Sequence, residues 1–182
     1  MKKILIIAAI AATLLSTSSC KHRYDISDNE AQAVQDQYDQ LATIETEGKD
    51  FIAKQLKADP ALKQTKSGLV YKITAPGKGD LFKETDTVVV NYTGKHIDGK
   101  VFDSSVERGE PATFPVNGVI PGFKEMLTMM RPGAKAYCII PGKLAYGQGT
   151  PDGSIAPLET LVFEIEAIGL ASDNGNKSNN NK

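Results

Sequence analysis

Val119-Ile120-Pro121-Gly122-Phe123-Lys124-Glu125-Met126-Leu127-Thr128-Met129-Met130-Arg131-Pro132 is the stretch whose reading decides the fold. Pro121 stands where the first turn of a helix tolerates a missing N–H. Phe123, Met126, Leu127 and Met130 then recur at i, i+3, i+4 and i+7, one apolar face of a helix. Arg131-Pro132-Gly133 ends it. A helix of about three turns does not hold itself together in water, so it must lie against a larger surface that covers this face.

The flanking sequence supplies that surface. After a boundary at Thr65-Lys66-Ser67-Gly68, Leu69–Ile73 begins a strand, and Thr87–Thr93 sets Val88, Val90 and Tyr92 against Thr87, Val89 and Asn91. Asp98-Gly99 predicts a type I′ hairpin, whose two central residues both need positive φ, with Val101-Phe102-Asp103 as the return strand. Ala112–Val116 is a short extended piece. Beyond Gly133, Ala134–Ile140 alternates again. Thr160–Ile168 puts Leu161, Phe163, Ile165 and Ala167 on one face, with Val162, Glu164 and Glu166 on the other. Between these two strands, Pro141–Pro157 is dense in glycine and proline and predicts a long irregular loop, of a length that usually serves function. The predicted class is α+β: an antiparallel sheet of five to six strands, wrapped over one short helix and preceded by a helical arm.

The first residues read as a separate segment. Lys2 and Lys3, an apolar run from Ile4 to Leu15 and the small residues Ser16-Thr17-Ser18-Ser19 have the order of a secretory signal. The run is too short to span a membrane. Cys20 directly after them resembles a bacterial lipoprotein cleavage site, in which Cys20 becomes the lipidated first residue, although Thr17 stands where such sites carry Leu. Plain secretion and an uncleaved anchor are the alternatives. The chain then divides into a signal peptide (1–19), a lipid-anchored tether and helical arm (20–66), a domain (67–170) and a disordered polar tail (171–182). The reading places the protein outside the cytoplasm, membrane-anchored and facing the periplasm.

In the arm, Ser27 and Glu30 have capping-box spacing, and a helix is predicted from Asn29 to Thr46 with a thin stripe of Val34, Tyr38 and Leu41. Gly48 is expected to interrupt it. A second short helix, Lys49–Ala58, carries Phe51, Ile52 and Leu56. Residues 26–66 therefore serve either as a spacer or as a homodimerisation device.

Composition excludes several classes. With 182 residues, 41% hydrophobic, 24% charged and a net charge of −1, the chain can build one core but has no basic footprint for nucleic acid. Neither His22 nor His96 has metal-ligand spacing. Cys138, in an alternating strand with no nearby His, reads as a buried apolar residue. No Ser/His/Asp set, Cys/His pair or phosphate loop is present, and no metal or cofactor is called for. What remains is a surplus of aromatic and branched residues at strand ends and loop edges, able to line an apolar pocket with Asp103, Arg108 and the Tyr146 hydroxyl as its polar groups.

Val89–Tyr92 with Thr93-Gly94, Asp98–Ser105, Val119–Phe123, Ile140-Pro141, Leu144–Gly147, Ala156-Pro157 and Thr160–Phe163 together resemble the FKBP-type peptidyl-prolyl cis/trans isomerases. The likeness runs in order over about residues 67–169, and the leading arm is similar to the exported bacterial branch, whose arms often dimerise. The resemblance implies rotation of X-Pro bonds in proline-containing polypeptides, in aid of protein folding. It implies Phe123 as pocket floor, Tyr92, Phe102, Phe114, Val119, Ile120 and Phe163 as walls, and Ile155 as a cap. The Ile120 N–H and the Tyr146 hydroxyl would hold substrate carbonyls. Asp103 would supply a fixed charge beside the amide, and Arg108 would position Asp103 or Tyr92. Phe123 replaces the family's more frequent Trp, and Ala112 and Ser154 stand where bulkier residues are common. These departures imply a more open rim and weaker binding of macrolide inhibitors. The rival reading is a non-catalytic chaperone or proline-peptide binding module of the same fold.

Overall fold

The computed structural model describes residues 28–172. The predicted signal peptide, Cys20, the Ser27 cap and the tail from residue 173 lie outside the described residues. The chain divides into two compact units, 1–37 and 38–182. Of the first, residues 28–37 are described: they are the solvent-exposed start of helix α1 (Asp28–Ala58). No helix among the described residues is long and apolar enough to cross a membrane.

The second unit is an antiparallel sheet over a short helix. Its strands are β1 (Lys63–Gln64), β2 (Val70–Pro76), β3 (Thr87–His96), β4 (Val101–Ser104), β5 (Ala112–Pro115), β6 (Ala134–Ile140) and β7 (Leu161–Leu170). They run in the order β1-β2-β6-β7-β3-β4, with β5 pairing β3 as well. The six strands expected are present, and the seventh, β1, adds two residues at the edge by pairing Lys63 with Tyr71 and Gln64 with Val70. Strand β3 organises the sheet. It pairs along its length with β7, and on its other side with β5 through Thr87–Val90 and with β4 through Thr93–Lys95.

The dry face follows the predicted alternation: Val88, Val90, Tyr92, Ala136, Cys138, Ile140, Leu161, Phe163 and Ile165 are all buried. Against it lies helix α3 (Pro121–Thr128), which buries Phe123, Met126 and Leu127. It is eight residues long, nearer two turns than three. Met130 stays fully buried in the turn that follows, where its N–H donates to the Leu127 carbonyl at 2.9 Å. The one-turn helix α2 (Ser105–Arg108) bridges β4 and β5.

Two local expectations are corrected. Gly48 does not break the arm, because α1 runs unbroken through it. Gly48 is buried instead, and a Cβ there would fall 2.2 Å from Thr160 Oγ1. The glycine costs helix propensity and in return admits a close approach. The boundary expected at residue 66 correspondingly falls inside the second unit. Beyond Gly48, Phe51, Ile52 and Leu56 pack with Leu62, Val70, Ile139 and Val162. The outward face of β6 and β7 is dry where α1 covers it. The β3–β4 turn is not type I′ either. The Gly99 N–H donates to the His96 carbonyl and the His96 N–H to the Lys100 carbonyl. Gly99, at φ 92°, is the turn residue with positive φ. That is a type I turn with a G1 bulge, which needs one left-handed residue rather than two.

Candidate active site

The residues singled out from sequence converge at one end of the sheet, between β3, β4, β5, helix α3 and the loop that follows β6. There a cavity of about 260 Å³ is lined by Tyr92, Phe102, Asp103, Phe114, Gly118, Val119, Ile120, Phe123, Tyr146 and Phe163. A larger hollow of about 360 Å³ lies over the sheet's outer face among Asn91, Thr93, Lys135, Glu164 and Glu166. Its wall brings together no cluster of phenylalanine rings, Tyr92 and Tyr137 being its aromatic members. The smaller cavity combines rings on several sides with a few directed polar groups, the makeup of a ligand site.

Each wall has a local cause. Phe123 opens the helix face and meets three rings edge to face: Phe163 at 5.3 Å, Tyr92 at 6.0 Å and Phe114 at 6.4 Å between centroids. Phe102 meets Phe163 at 5.7 Å and 87°. These tilted geometries are the favoured ones for aromatic quadrupoles. Phe102 and Phe163 come this close only over Gly94, where a Cβ would lie 2.6 Å from Phe102 Cζ and 2.9 Å from Phe163 Cε1. At the opposite rim, Pro121 drives its predecessor out of the helical region. Ile120 is accordingly extended, at φ −56° and ψ 147°, and forms a corner with Val119 ahead of α3. The Ile120 N–H donates to no backbone carbonyl among the described residues.

The polar edge is a linked set. Ser104 caps α2 by accepting from the Glu107 N–H at 3.2 Å, and this single turn brings Arg108 back beside Asp103. Arg108 Nη1 donates to Asp103 Oδ1, and the Tyr92 hydroxyl donates to Asp103 Oδ2. Arg108 Nη2 donates to the Tyr92 oxygen at 3.2 Å, with the guanidinium 5.7 Å from the Tyr92 ring centre. Both carboxylate oxygens are therefore fixed. The bonds that the Arg108 guanidinium donates to Tyr92 and Asp103 hold it protonated more firmly than usual. Burial first, then the bond to Asp103, raises the Tyr92 phenol. Tyr146 is 40% exposed at the mouth. Burial of part of its ring, and secondarily the Asp103 charge, raises its phenol above the ordinary 10.0.

Two expected site residues do not line the cavity. Arg108 stands behind Asp103 and Tyr92, bonded to both, in the positioning arrangement expected of it. Ile155, expected as a cap, is 3% exposed, belongs to the core and is absent from the lining. Its place in the loop is set by exchange with Thr150, whose N–H donates to the Ile155 carbonyl and whose hydroxyl accepts from the Ile155 N–H, both at 3.0 Å. Ala112 and Ser154 do not line the cavity either. Sequence reasoning missed Gly118, which does, and the slot made by Gly94. A glycine flanked by aromatic strand positions is the signal that points to such a slot.

Residues 79–168 match the family model for FKBP-type peptidyl-prolyl cis-trans isomerase. The chain is 50% identical over 122 residues to the FKBP-type 22 kDa peptidyl-prolyl cis-trans isomerase of Escherichia coli, covering 67% of this chain and 59% of that protein. It spans little more than half the length of the curated relatives it matches first. Among solved structures, a peptidyl-prolyl cis-trans isomerase from Pseudomonas syringae superposes with a TM-score of 0.64 at 35% identity, over 71% of this chain and 94% of that one. FkpA from Escherichia coli superposes with a TM-score of 0.68 at 36% identity, over 93% and 82%. Agreement in sequence and fold across nearly the whole of these structures means that the chain belongs to the FKBP-type peptidyl-prolyl cis-trans isomerase family.

Proposed function

We propose that the chain accelerates cis/trans rotation of X-Pro bonds in exported polypeptides and so assists their folding. The observation that carries this reading is the aromatic cavity with an anchored carboxylate at its edge. Rotation about the bond faces a barrier of roughly 18 to 20 kcal/mol because the planar amide is resonance-stabilised. No bond breaks, so neither base nor nucleophile is required. The twisted transition state loses resonance, and its carbonyl depends less on water than the planar one. An apolar enclosure therefore favours the twisted form over the planar one.

In this reading Phe123 is the floor under the proline ring, with Tyr92, Phe102, Phe114, Val119 and Phe163 around it. The Ile120 N–H and the Tyr146 hydroxyl hold the flanking carbonyls, and Asp103 faces the rotating amide. Arg108 and the Tyr92 hydroxyl fix the Asp103 rotamer. Burial of Ile155 supports a role in seating the loop rather than in touching substrate. With Ala112 and Ser154 outside the lining, weak macrolide binding is left to rest on Phe123, a smaller floor than the family's more frequent Trp. The leader sequence and Cys20 support a lipid-anchored, periplasm-facing protein. Mass spectrometry of the mature N-terminus tests that, and sizing of residues 21–182 tests whether the arm dimerises.

The activity is tested with the chain in a protease-coupled proline-peptide assay. Acceleration that falls at least about tenfold in Tyr146→Phe is the expected result. Peptide binding without acceleration would instead favour a non-catalytic binding module. The raised phenols supply a pH test. A tyrosine whose proton is held above the ordinary 10.0 remains a donor in mild alkali. Activity of the parent chain should therefore stay level between about pH 7 and pH 9.5. An alkaline loss beginning within that range, absent in Tyr146→Phe, would keep Tyr146 as donor but contradict a phenol raised by burial.

A further inference from the structure

We infer that the C-terminal part of helix α1 is a positioning element for Tyr146, gripping both ends of the loop that carries it. The inference rests on the isomerase activity proposed above and concerns only residues of the second unit. At the start of the loop, Lys143 Nζ lies 2.9 Å from Glu45 Oε1, the same oxygen that Lys49 reaches at 3.0 Å. At its end, Thr160 occupies the space opened by the missing side chain of Gly48. A cleft of about 120 Å³ between the helix and the loop is lined by Glu45, Ile52, Lys143, Leu158 and Thr160.

The two limbs of the loop meet next to Tyr146. The Gly147 N–H donates to the Gly142 carbonyl at 3.2 Å, and the Leu158 N–H donates to the Gly147 carbonyl at 2.8 Å. Leu158 has φ 58°, the one non-glycine residue with positive φ among those described. A branched side chain held there persists only where its surroundings over-determine the backbone. No side chain of the described residues holds the Tyr146 hydroxyl, so its position follows from the backbone on either side. What moves Lys143 or Thr160 therefore moves the phenol.

The test uses the full chain. Gly48→Ala places a Cβ where neither it nor Thr160 Oγ1 can stay, yet alanine is the better helix former. If α1 were only a spacer, the substitution would leave kcat/KM unchanged. The expected result is a fall in kcat/KM of about tenfold, the scale of a small misplacement of a binding group. Helix content by circular dichroism should be retained. The loss should disappear in the Tyr146→Phe background, because both changes act through one group. Adding Thr160→Ala, which removes the clashing oxygen, should restore activity. Glu45→Gln, which keeps shape and loses the ion pair, should lower kcat/KM about twofold.

Full activity in both single variants, or losses that add undiminished to Tyr146→Phe, overturns the inference. A readout independent of turnover is amide exchange. Gly48→Ala should speed exchange at Gly147 and Leu158 while β6 and β7 stay protected. Were the parent chain inactive, the proposed activity would fail, and exchange alone would decide the role of α1. Unchanged exchange at those two amides would then refute it.

Discussion

Phe163→Ala is expected to cost about 3 to 5 kcal/mol of folding stability, the range for removing a buried phenylalanine. Phe163 is 3% exposed and lies on β7 between its partners Gly94 and Cys138. It holds two edge-to-face contacts at once, with Phe102 and Phe123. Each such pair adds about 0.5 to 1.5 kcal/mol beyond the area it buries. The void would open into the cavity beside it, so Phe102 and Phe123 would lose the ring that sets their tilt. Loss of activity should therefore accompany loss of stability. At roughly 2 to 4 °C per kcal/mol for a unit of this size, Tm should fall by about 6 to 20 °C. Thermal unfolding followed by circular dichroism measures it. A loss below about 1 kcal/mol would mean that Phe163 is a replaceable wall and that the core ends short of the cavity.

The same residue shows which features of the fold are legible in the sequence. Its face is legible because Leu161, Phe163, Ile165 and Ala167 alternate, and the side-chain period of a strand is a local property of the chain. Tyr92 is legible for the same reason, with Val88 and Val90. The amphipathic pattern of Phe123, Met126 and Leu127 likewise locates α3. Features that depend on a distant neighbour are not legible. Nothing local distinguishes Gly48 as a helix breaker from Gly48 as a seat for Thr160, because the answer lies in where residue 160 comes to rest. Ile139 and Val162 sit on the face that alternation assigns to solvent, and they are dry because α1 lies over them. Strand β1 has two exposed residues and no apolar period, so only its pairing with β2 reveals it. In the site, the motif residues gather as their order implies. Ile155 does not, because the course of a loop rich in glycine and proline is set by particular hydrogen bonds, such as the exchange with Thr150.

Asp103→Ala carries the largest expected effect on catalysis with the smallest on folding. The Asp103 side chain is 38% exposed and its partner Arg108 47%, so water screens the pair and its removal should barely change Tm. The chemical consequence is different. With Asp103 gone, Arg108 and the Tyr92 hydroxyl lose their shared acceptor, and the cavity edge changes from a balanced pair to an uncompensated positive charge. A fall in kcat/KM of about 10- to 100-fold is expected, equivalent to about 1.4 to 2.7 kcal/mol of transition-state stabilisation. Two further variants separate charge from shape. Asp103→Asn retains the outline and an acceptor but not the charge, so a loss equal to that of Asp103→Ala assigns the effect to charge. The double variant Asp103→Ala/Arg108→Ala restores neutrality, and if the stray positive charge is the fault, it should be faster than Asp103→Ala alone. Full activity in Asp103→Ala would leave desolvation by the aromatic walls as the whole of catalysis, with the linked set of Tyr92, Asp103 and Arg108 reduced to a brace for the rim.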